Sequence, residues 1–254
     1  MKQLLLRILR AAGGRPVIRL VNRAVRGVAA FTHRIQYLIE WGISPNPEWF
    51  DHYLDQYYLW PKYRTPWSWE RGVFGLLAIR QGARVLELCC GDGFNAERFY
   101  AIRAGSITSV DFDPDAISFA RRNFRAPNVT YEVADIRTGM PQGRFDNVIW
   151  DAAIEHFTED EIRQLMTNIK ARLVEGGILS GHTIVELDHG KSHHEHEYEF
   201  RSKADLLRFL QPYFRNVRIF ETVYSTRHNL YFFAGDGALP FDEKWQAQLI
   251  YHGS

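Results

Sequence analysis

From Ala83 onward, short apolar runs alternate with stretches of helical periodicity. No other feature constrains the chain so strongly, because adjacent parallel strands need long, usually helical crossovers. The strand candidates are residues 84–88, 106–111, 129–133, 145–150 and 178–184. Helix starts fall between and after them: Asp113 as a cap ahead of Pro114, Thr158 with Glu161 as a capping box, and Ser202 with Asp205. Two final runs, 217–224 and 229–234, are joined by the short polar Ser225-Thr226-Arg227-His228. So short a link suits an antiparallel pair. The expected fold class is α/β, a mostly parallel sheet with helices on both faces.

The preceding 80 residues have a different texture, and three segments are expected: an arm (1–40), an aromatic-rich cap or lid (41–80) and the main domain (81–254). Up to Glu40 the arm sets eight Lys and Arg against that single acid, whereas the remainder carries 23 basic and 29 acidic residues. Leu4, Leu5, Ile8 and Leu9 recur at helical spacing until Gly13-Gly14, and Pro16 stands where a second helix would begin. Val17, Val21, Ala24, Val28, Phe31, Ile35 and Leu38 then make one apolar stripe opposite Arg19, Arg23 and Arg26. Such a helical extension either docks by its stripe or makes a peripheral contact with an anionic membrane surface. The acidic body disfavours a nucleic-acid partner.

Arg7 and Arg10 interrupt the apolar core a secretory signal requires, and an organellar presequence would be rich in serine, whereas no serine precedes Ser44. No apolar run approaches the roughly 20 residues of a membrane-spanning helix. With Cys89 and Cys90 adjacent, an ordinary structural disulfide is excluded and a reducing, cytoplasmic setting is expected, at most peripheral to the inner membrane surface. Residues 41–69 are dense in aromatics and hold four prolines, which allow a short helix around 48–58. As a lid this segment would bring Tyr57, Tyr58, Tyr63 and Arg64 to a site.

Chemistry concentrates at Val85-Leu86-Glu87-Leu88-Cys89-Cys90-Gly91-Asp92-Gly93-Phe94-Asn95-Ala96. A strand ends in an acid, glycines turn the chain, and a helix opens with its N–H groups toward a ligand. Gly91-x-Gly93-x-x-Ala96 also satisfies a loose dinucleotide fingerprint, with Asp111 near the place of its ribose-binding acid. A NAD(P)-dependent oxidoreductase is therefore one reading. Glu87 favours another, because a carboxylate four residues before Gly91 would repel a pyrophosphate and attract an ammonium group.

These residues resemble the class I S-adenosylmethionine-dependent methyltransferases, and the resemblance runs from about residue 83 to 234. Glu87, Gly91 and Gly93 look like the first motif, whose loop lies under the methionine part of the cofactor. Asp111 and Phe112 resemble the second strand's end, where the acid holds the ribose hydroxyls and the next residue packs on adenine. Asp135 and Ile136 resemble the third motif, in which the acid accepts from the adenine amino group. Residues 145–151, followed by Glu155-His156, resemble the fourth strand and its continuation, and Glu175-Gly176-Gly177 the approach to the fifth. Cys89-Cys90 departs from the small residues common there. The resemblance implies S-adenosylmethionine as cofactor and a Rossmann-like sheet of seven strands whose last two form a reversed edge pair. Arg64 would pair with the methionine carboxylate.

Methyl transfer asks for an in-line nucleophile at near-contact distance, and a hydroxyl acceptor must also lose a proton. Asp151, at the end of the fourth strand, His156 on the loop after it, and His182, ending the fifth, are the candidates. The long polar link from His182 to Arg201 carries His189, His193, His194, Glu195, His196, Glu197 and Glu199. Its His194-x-x-Glu197-Tyr198 pattern is similar to a loop of some small-molecule and glycan methyltransferases and adds His194 to the acceptor-side candidates. Its crowding matches no defined zinc-ligand spacing. The Asn/Asp-Pro-Pro-Tyr/Phe signature of nucleic-acid amino-methyltransferases is replaced by Asp151-Ala152-Ala153-Ile154. The expected activity is methylation of a hydroxyl, or less favourably an amine, of a small-molecule or saccharide acceptor. The rivals are the oxidoreductase and a catalytically silent methyltransferase fold acting at a membrane surface. The oligomeric state is left open.

Overall fold

The computed structural model describes residues 14–39, 52, 66–187, 190–191, 193–225 and 227–245. The chain forms two compact units, Met1–Arg64 and Thr65–Ser254. In the first, α1 (Gly14–Leu38) carries Pro16 in its opening turn, where a missing N–H costs no helical hydrogen bond. Its Val17, Val21, Val28 and Phe31 are exposed. Leu4 to Leu9, all but His52 of the helix expected around 48–58, and Tyr57, Tyr58, Tyr63 and Arg64 lie outside the described residues.

The second unit takes in the end of the aromatic-rich segment as α2 (Trp67–Ala78). It continues with β1 (Arg84–Leu88), α3 (Phe94–Arg98), β2 (Ser106–Asp111), α4 (Pro114–Asn123), β3 (Val129–Val133), α5 (Ile136–Gly139) and β4 (Phe145–Asp151). Then come α6 (Glu159–Arg172), β5 (Leu173–Ile184), α7 (Lys203–Leu210), β6 (Asn216–Tyr224) and β7 (Arg227–Gly235). The three expected caps are present. Asp113 Oδ1 accepts the Asp115 N–H at 2.7 Å, Ser202 Oγ accepts the Asp205 N–H at 3.2 Å, and Thr158 and Glu161 exchange bonds at 2.9 and 3.4 Å.

The sheet has seven strands in the order β3-β2-β1-β4-β5-β7-β6. β7 runs antiparallel to both its neighbours, and the other pairs are parallel. Two boundaries differ from the sequence reading by more than one residue. β5 begins at Leu173, passing a register irregularity opposite Phe145 and Asn147. β7 begins at Arg227, because Arg227 pairs with Tyr224 and shortens the connection to Ser225-Thr226.

Side chains alternate across a strand, and this sorts the core into two layers. Leu86, Leu88, Val148, Trp150, Leu179, Leu230 and Phe232 pack with Ile162, Leu165 and Ile169 of α6 and Leu206, Phe209 and Leu210 of α7. Val85, Ile107 and Ile149 face Leu76, Phe94, Ala96, Ile117 and Ala120 from α2, α3 and α4. The same alternation puts Glu87, Asp151, His182, Asn229 and Tyr231 on the α2 side. α2 lies close: a Cβ at Gly75 would stand 2.5 Å from the Tyr100 ring.

Candidate active site

The site occupies the carboxyl ends of the parallel strands, where open α/β sheets present ligand-binding crevices. Leaving β1, the backbone takes left-handed conformations at Cys89 (φ 55°), Gly91 (φ 53°) and Gly93 (φ 79°). The Gly91 N–H donates to Asp111 Oδ2 at 2.9 Å, and Asp111 Oδ1 accepts the Asp113 N–H at 3.0 Å. The end of β2 therefore clamps the turn after β1. Burial raises the Asp111 carboxyl above its usual range despite those bonds. Gly93 is required twice over, since a Cβ there would also approach the Tyr131 ring to 2.7 Å and the Ala120 Cβ to 2.8 Å. Phe112 stands beside Asp111 with an exposed ring.

Asp135 caps α5 and is gripped by Arg137, whose Nε and Nη2 donate at 2.9 Å. That pairing lowers its pKa, and a further donor must share oxygens already engaged. Ile136 is buried in the core. Glu87 is buried, with Ser109 Oγ donating to its Oε2 at 2.6 Å. Burial, reinforced by Asp151 and Asp92, pushes its pKa up to about 8. The sequence reading took Glu87 as a standing negative charge. Burial, with the carboxylates of Asp151 and Asp92 nearby, instead favours its protonated form against the opposing charge of Arg71.

Asp151 is the hub of a second cluster. Arg71 reaches its Oδ2 with Nε at 2.9 Å and Nη2 at 2.7 Å, and Asn95 Nδ2 donates to the same oxygen at 3.0 Å. Its Oδ1 lies 3.9 Å from Nδ1 of His182, the residue paired with it across β4 and β5. His182 is buried, and its Nε2 bonds to Asn229 Oδ1 at 3.2 Å. Asn229 Nδ2 donates to Thr222 Oγ1, which orients the amide and makes Nε2 the protonated nitrogen. Nδ1 then presents a lone pair with no donor among the described residues. Burial, helped by the Arg71 and Arg227 charges, holds His182 well below the usual histidine range, so it is neutral at pH 7.

His156 and His194 lie in a separate cluster with His193 and His196. His156 packs edge-on against His196 at 4.8 Å, and His196 bonds to Glu199. His194, with its side chain 68% exposed, neighbours Glu195 at 3.8 Å and the His193 ring at 4.5 Å. Neither His156 nor His194 bonds to Asp151 or His182. The loop and α7 enclose a cleft of about 490 Å³ walled by Lys191, Tyr198, Arg201 and Arg208 among others. None of Glu87, Asp111, Asp151 or His182 lines it. Among the described residues no three His, Cys, Asp or Glu side chains converge as a metal site.

Sequence reasoning missed Arg71, Asn95, Arg227 and Asn229. The available signals were weak: Trp67 and Arg71 share a helix face by their i, i+4 spacing, and Arg227, Asn229 and Tyr231 share a strand face by their i, i+2 spacing.

The sheet order, the glycine turn after β1 and the acid closing β2 define a Rossmann-like, class I methyltransferase fold. Residues 85–177 match the family model described as a methyltransferase domain. The chain is 31% identical over 106 residues to an uncharacterised methyltransferase of Synechocystis, covering 41% of this chain and 48% of that one. It is 31% identical over 103 residues to the trans-aconitate 2-methyltransferase of Variovorax paradoxus, covering 40% and 39%. The chain thus spans less than half the length of these curated relatives. Among solved structures, the N-methyltransferase NodS of Bradyrhizobium japonicum superposes with a TM-score of 0.56 at 18% identity, covering 67% of this chain and 97% of that one. A DhpI complex described as DhpI-SAM-HEP does so at 0.55 and 19%, covering 72% and 95%.

Proposed function

We propose that the protein is an S-adenosylmethionine-dependent methyltransferase acting on a hydroxyl, in preference to an amine, of a small molecule or saccharide. The observation that carries this reading is the neutral His182, whose Nδ1 lone pair faces Asp151 Oδ1 across 3.9 Å at the carboxyl end of the sheet. A hydroxyl placed there can pass its proton to Nδ1, and Asp151 steadies the imidazolium that forms. When bound, S-adenosylmethionine supplies an electrophilic methyl group on a sulfonium centre. The residues present fit it: Asp111 would take the ribose hydroxyls, Phe112 offers an open face for adenine, and Glu87 with the unsatisfied Asn95 Oδ1 would receive the ammonium group. Asp135 would accept from the adenine amino group while keeping Arg137. Arg71 and Asn95 hold Asp151 in place.

The relatives' names span a small organic acid and, for a Neisseria meningitidis relative, ribosomal protein L11, so the acceptor class rests on the site and not on them. Untargeted mass spectrometry of a metabolite and glycan extract, incubated with the protein and S-adenosylmethionine, should reveal products heavier by one methylene. His182→Asn should lower their yield at least about a hundredfold while S-adenosylhomocysteine binding persists. Equal turnover by that variant would remove His182 from the reaction.

For α1 we propose peripheral contact with an anionic membrane surface. Its apolar stripe is exposed, its opposite side carries arginines, and it contains no acid. Among the described residues no helix is long and apolar enough to cross a membrane.

A further inference from the structure

We propose that Arg227 is the docking point for a carboxylate of the methyl acceptor, an inference that rests on the methyltransferase reading above. Arg227 opens β7 and shares its inward face with Asn229 and Tyr231. Its Nε donates to Asn229 Oδ1 at 2.7 Å, and its guanidinium lies over the Trp67 ring at 4.2 Å. One edge of the plane is thereby tied and one face covered. The two terminal nitrogens donate to no acceptor among the described residues, and no carboxylate there comes within the 4.0 Å of an ion pair. Arg71, the neighbouring guanidinium, is by contrast matched by Asp151.

An enclosed cation with an unused fork is costly unless something completes it. Burial and the like charge of Arg71 push Arg227 down to about 10, so it remains protonated at neutral pH. The unused pair of terminal N–H groups has the planar, two-pronged geometry that suits a carboxylate. Asp151 and Glu155 lie near enough to act on this charge, which favours a monoanion over a phosphate dianion.

The location points to the acceptor and away from the cofactor. Glu87 and Gly91 belong to β1 and the turn after it, and β7 lies three strands away, roughly 14 Å at the usual strand spacing. His182 is near: Tyr231 pairs with it across β5 and β7, and Arg227 Nε and His182 Nε2 share Asn229 Oδ1. The cation therefore sits one amide from the proposed proton acceptor.

The test uses the full chain saturated with S-adenosylhomocysteine and titrated calorimetrically with benzoate, succinate and tricarballylate, their neutral amides, and inorganic phosphate. At least one carboxylate should bind, with its amide weaker by about tenfold or more. Arg227→Gln should lower carboxylate affinity by at least about tenfold, as expected for losing a charge-assisted bond, and leave S-adenosylhomocysteine affinity within about twofold. Arg227→Lys, which keeps the charge without the fork, should fall between, and circular dichroism establishes that both variants are folded. The proposal is overturned if no carboxylate binds, if phosphate binds more tightly than every carboxylate, or if Arg227→Gln leaves carboxylate affinity unchanged. Equal weakening of S-adenosylhomocysteine by Arg227→Gln would overturn it too, by assigning the cation to the cofactor. Failure of the wild-type protein to bind S-adenosylhomocysteine at all would remove the methyltransferase reading and this inference with it.

Discussion

The proposed contact of Glu87 with the cofactor's ammonium group would couple cofactor binding to a proton. An ammonium group set against this carboxyl, whose pKa stands at about 8, drives its ionisation, so binding at pH 7 should release a proton. Calorimetry with S-adenosylhomocysteine in buffers of different ionisation enthalpy should show that release, and Glu87→Gln should abolish it; a buffer-independent enthalpy in the wild type would contradict the assignment. The same shift has a stability consequence. A carboxyl raised from 4.5 to about 8 contributes stability that is fully present below the unfolded value and lost as pH rises through the folded one. The melting temperature should therefore fall between about pH 5 and 8, and more gently in Glu87→Gln. Sequence could single out Glu87 by its place before the glycines, but not its protonation, which depends on Ser109 from the neighbouring strand. Gly93 was equally legible, yet its reason was not. The close rings and methyls of β3 and α4 demand it, and Gly93→Ala should cost about 2 kcal/mol or more by urea denaturation.

At the scale of elements, α2 matters most to the site, because it delivers Trp67, Glu70 and Arg71 to the ends of β4, β6 and β7. Glu70 accepts from Thr222 at 2.9 Å, from Tyr231 at 2.8 Å and from Tyr224, and Arg71 secures Asp151. Removing one partner of such a buried pair strands the other charge, so Arg71→Met should destabilise the protein by about 3 kcal/mol. A cost below about 1 kcal/mol would mean that Asp151 is held without it. Local pattern showed little of this. The prolines and aromatics before α2 obscure its periodicity, and its partners are 80 to 161 residues away in sequence. The caps at Asp113, Thr158 and Ser202 were legible because each is a contact within three residues. For α1, vesicles of phosphatidylglycerol and phosphatidylcholine should sediment the full chain at low salt, whereas Val28→Asp with Phe31→Asp should leave it in solution. Equal sedimentation would show that the stripe is not the membrane face.

For the whole molecule, strand order and side-chain alternation do the assembling. Alternation carries Glu87, Asp151, His182 and Asn229 to one face from four strands, and the parallel order places the ends of β1, β4 and β5 side by side. Sequence could anticipate the strands and the antiparallel final pair because apolar runs, caps and turns are local signals, while their union in one seven-stranded sheet with a reversed edge came from the family resemblance. It could not anticipate that Asp151 would be engaged by Arg71 and Asn95, that His182 would be the buried neutral histidine, or that His156 and His194 would join the loop cluster instead. Those outcomes depend on which distant side chains meet. The central claim, that the turn after β1 and the acid closing β2 hold an adenosyl amino acid, has a direct test in equilibrium binding of S-adenosylhomocysteine and NAD to the full chain. The account predicts one molecule of S-adenosylhomocysteine bound per chain, a loss of about tenfold or more in Asp111→Ala, and no NAD binding. Tight NAD binding, or an Asp111→Ala variant that binds S-adenosylhomocysteine as the wild type does, would contradict it.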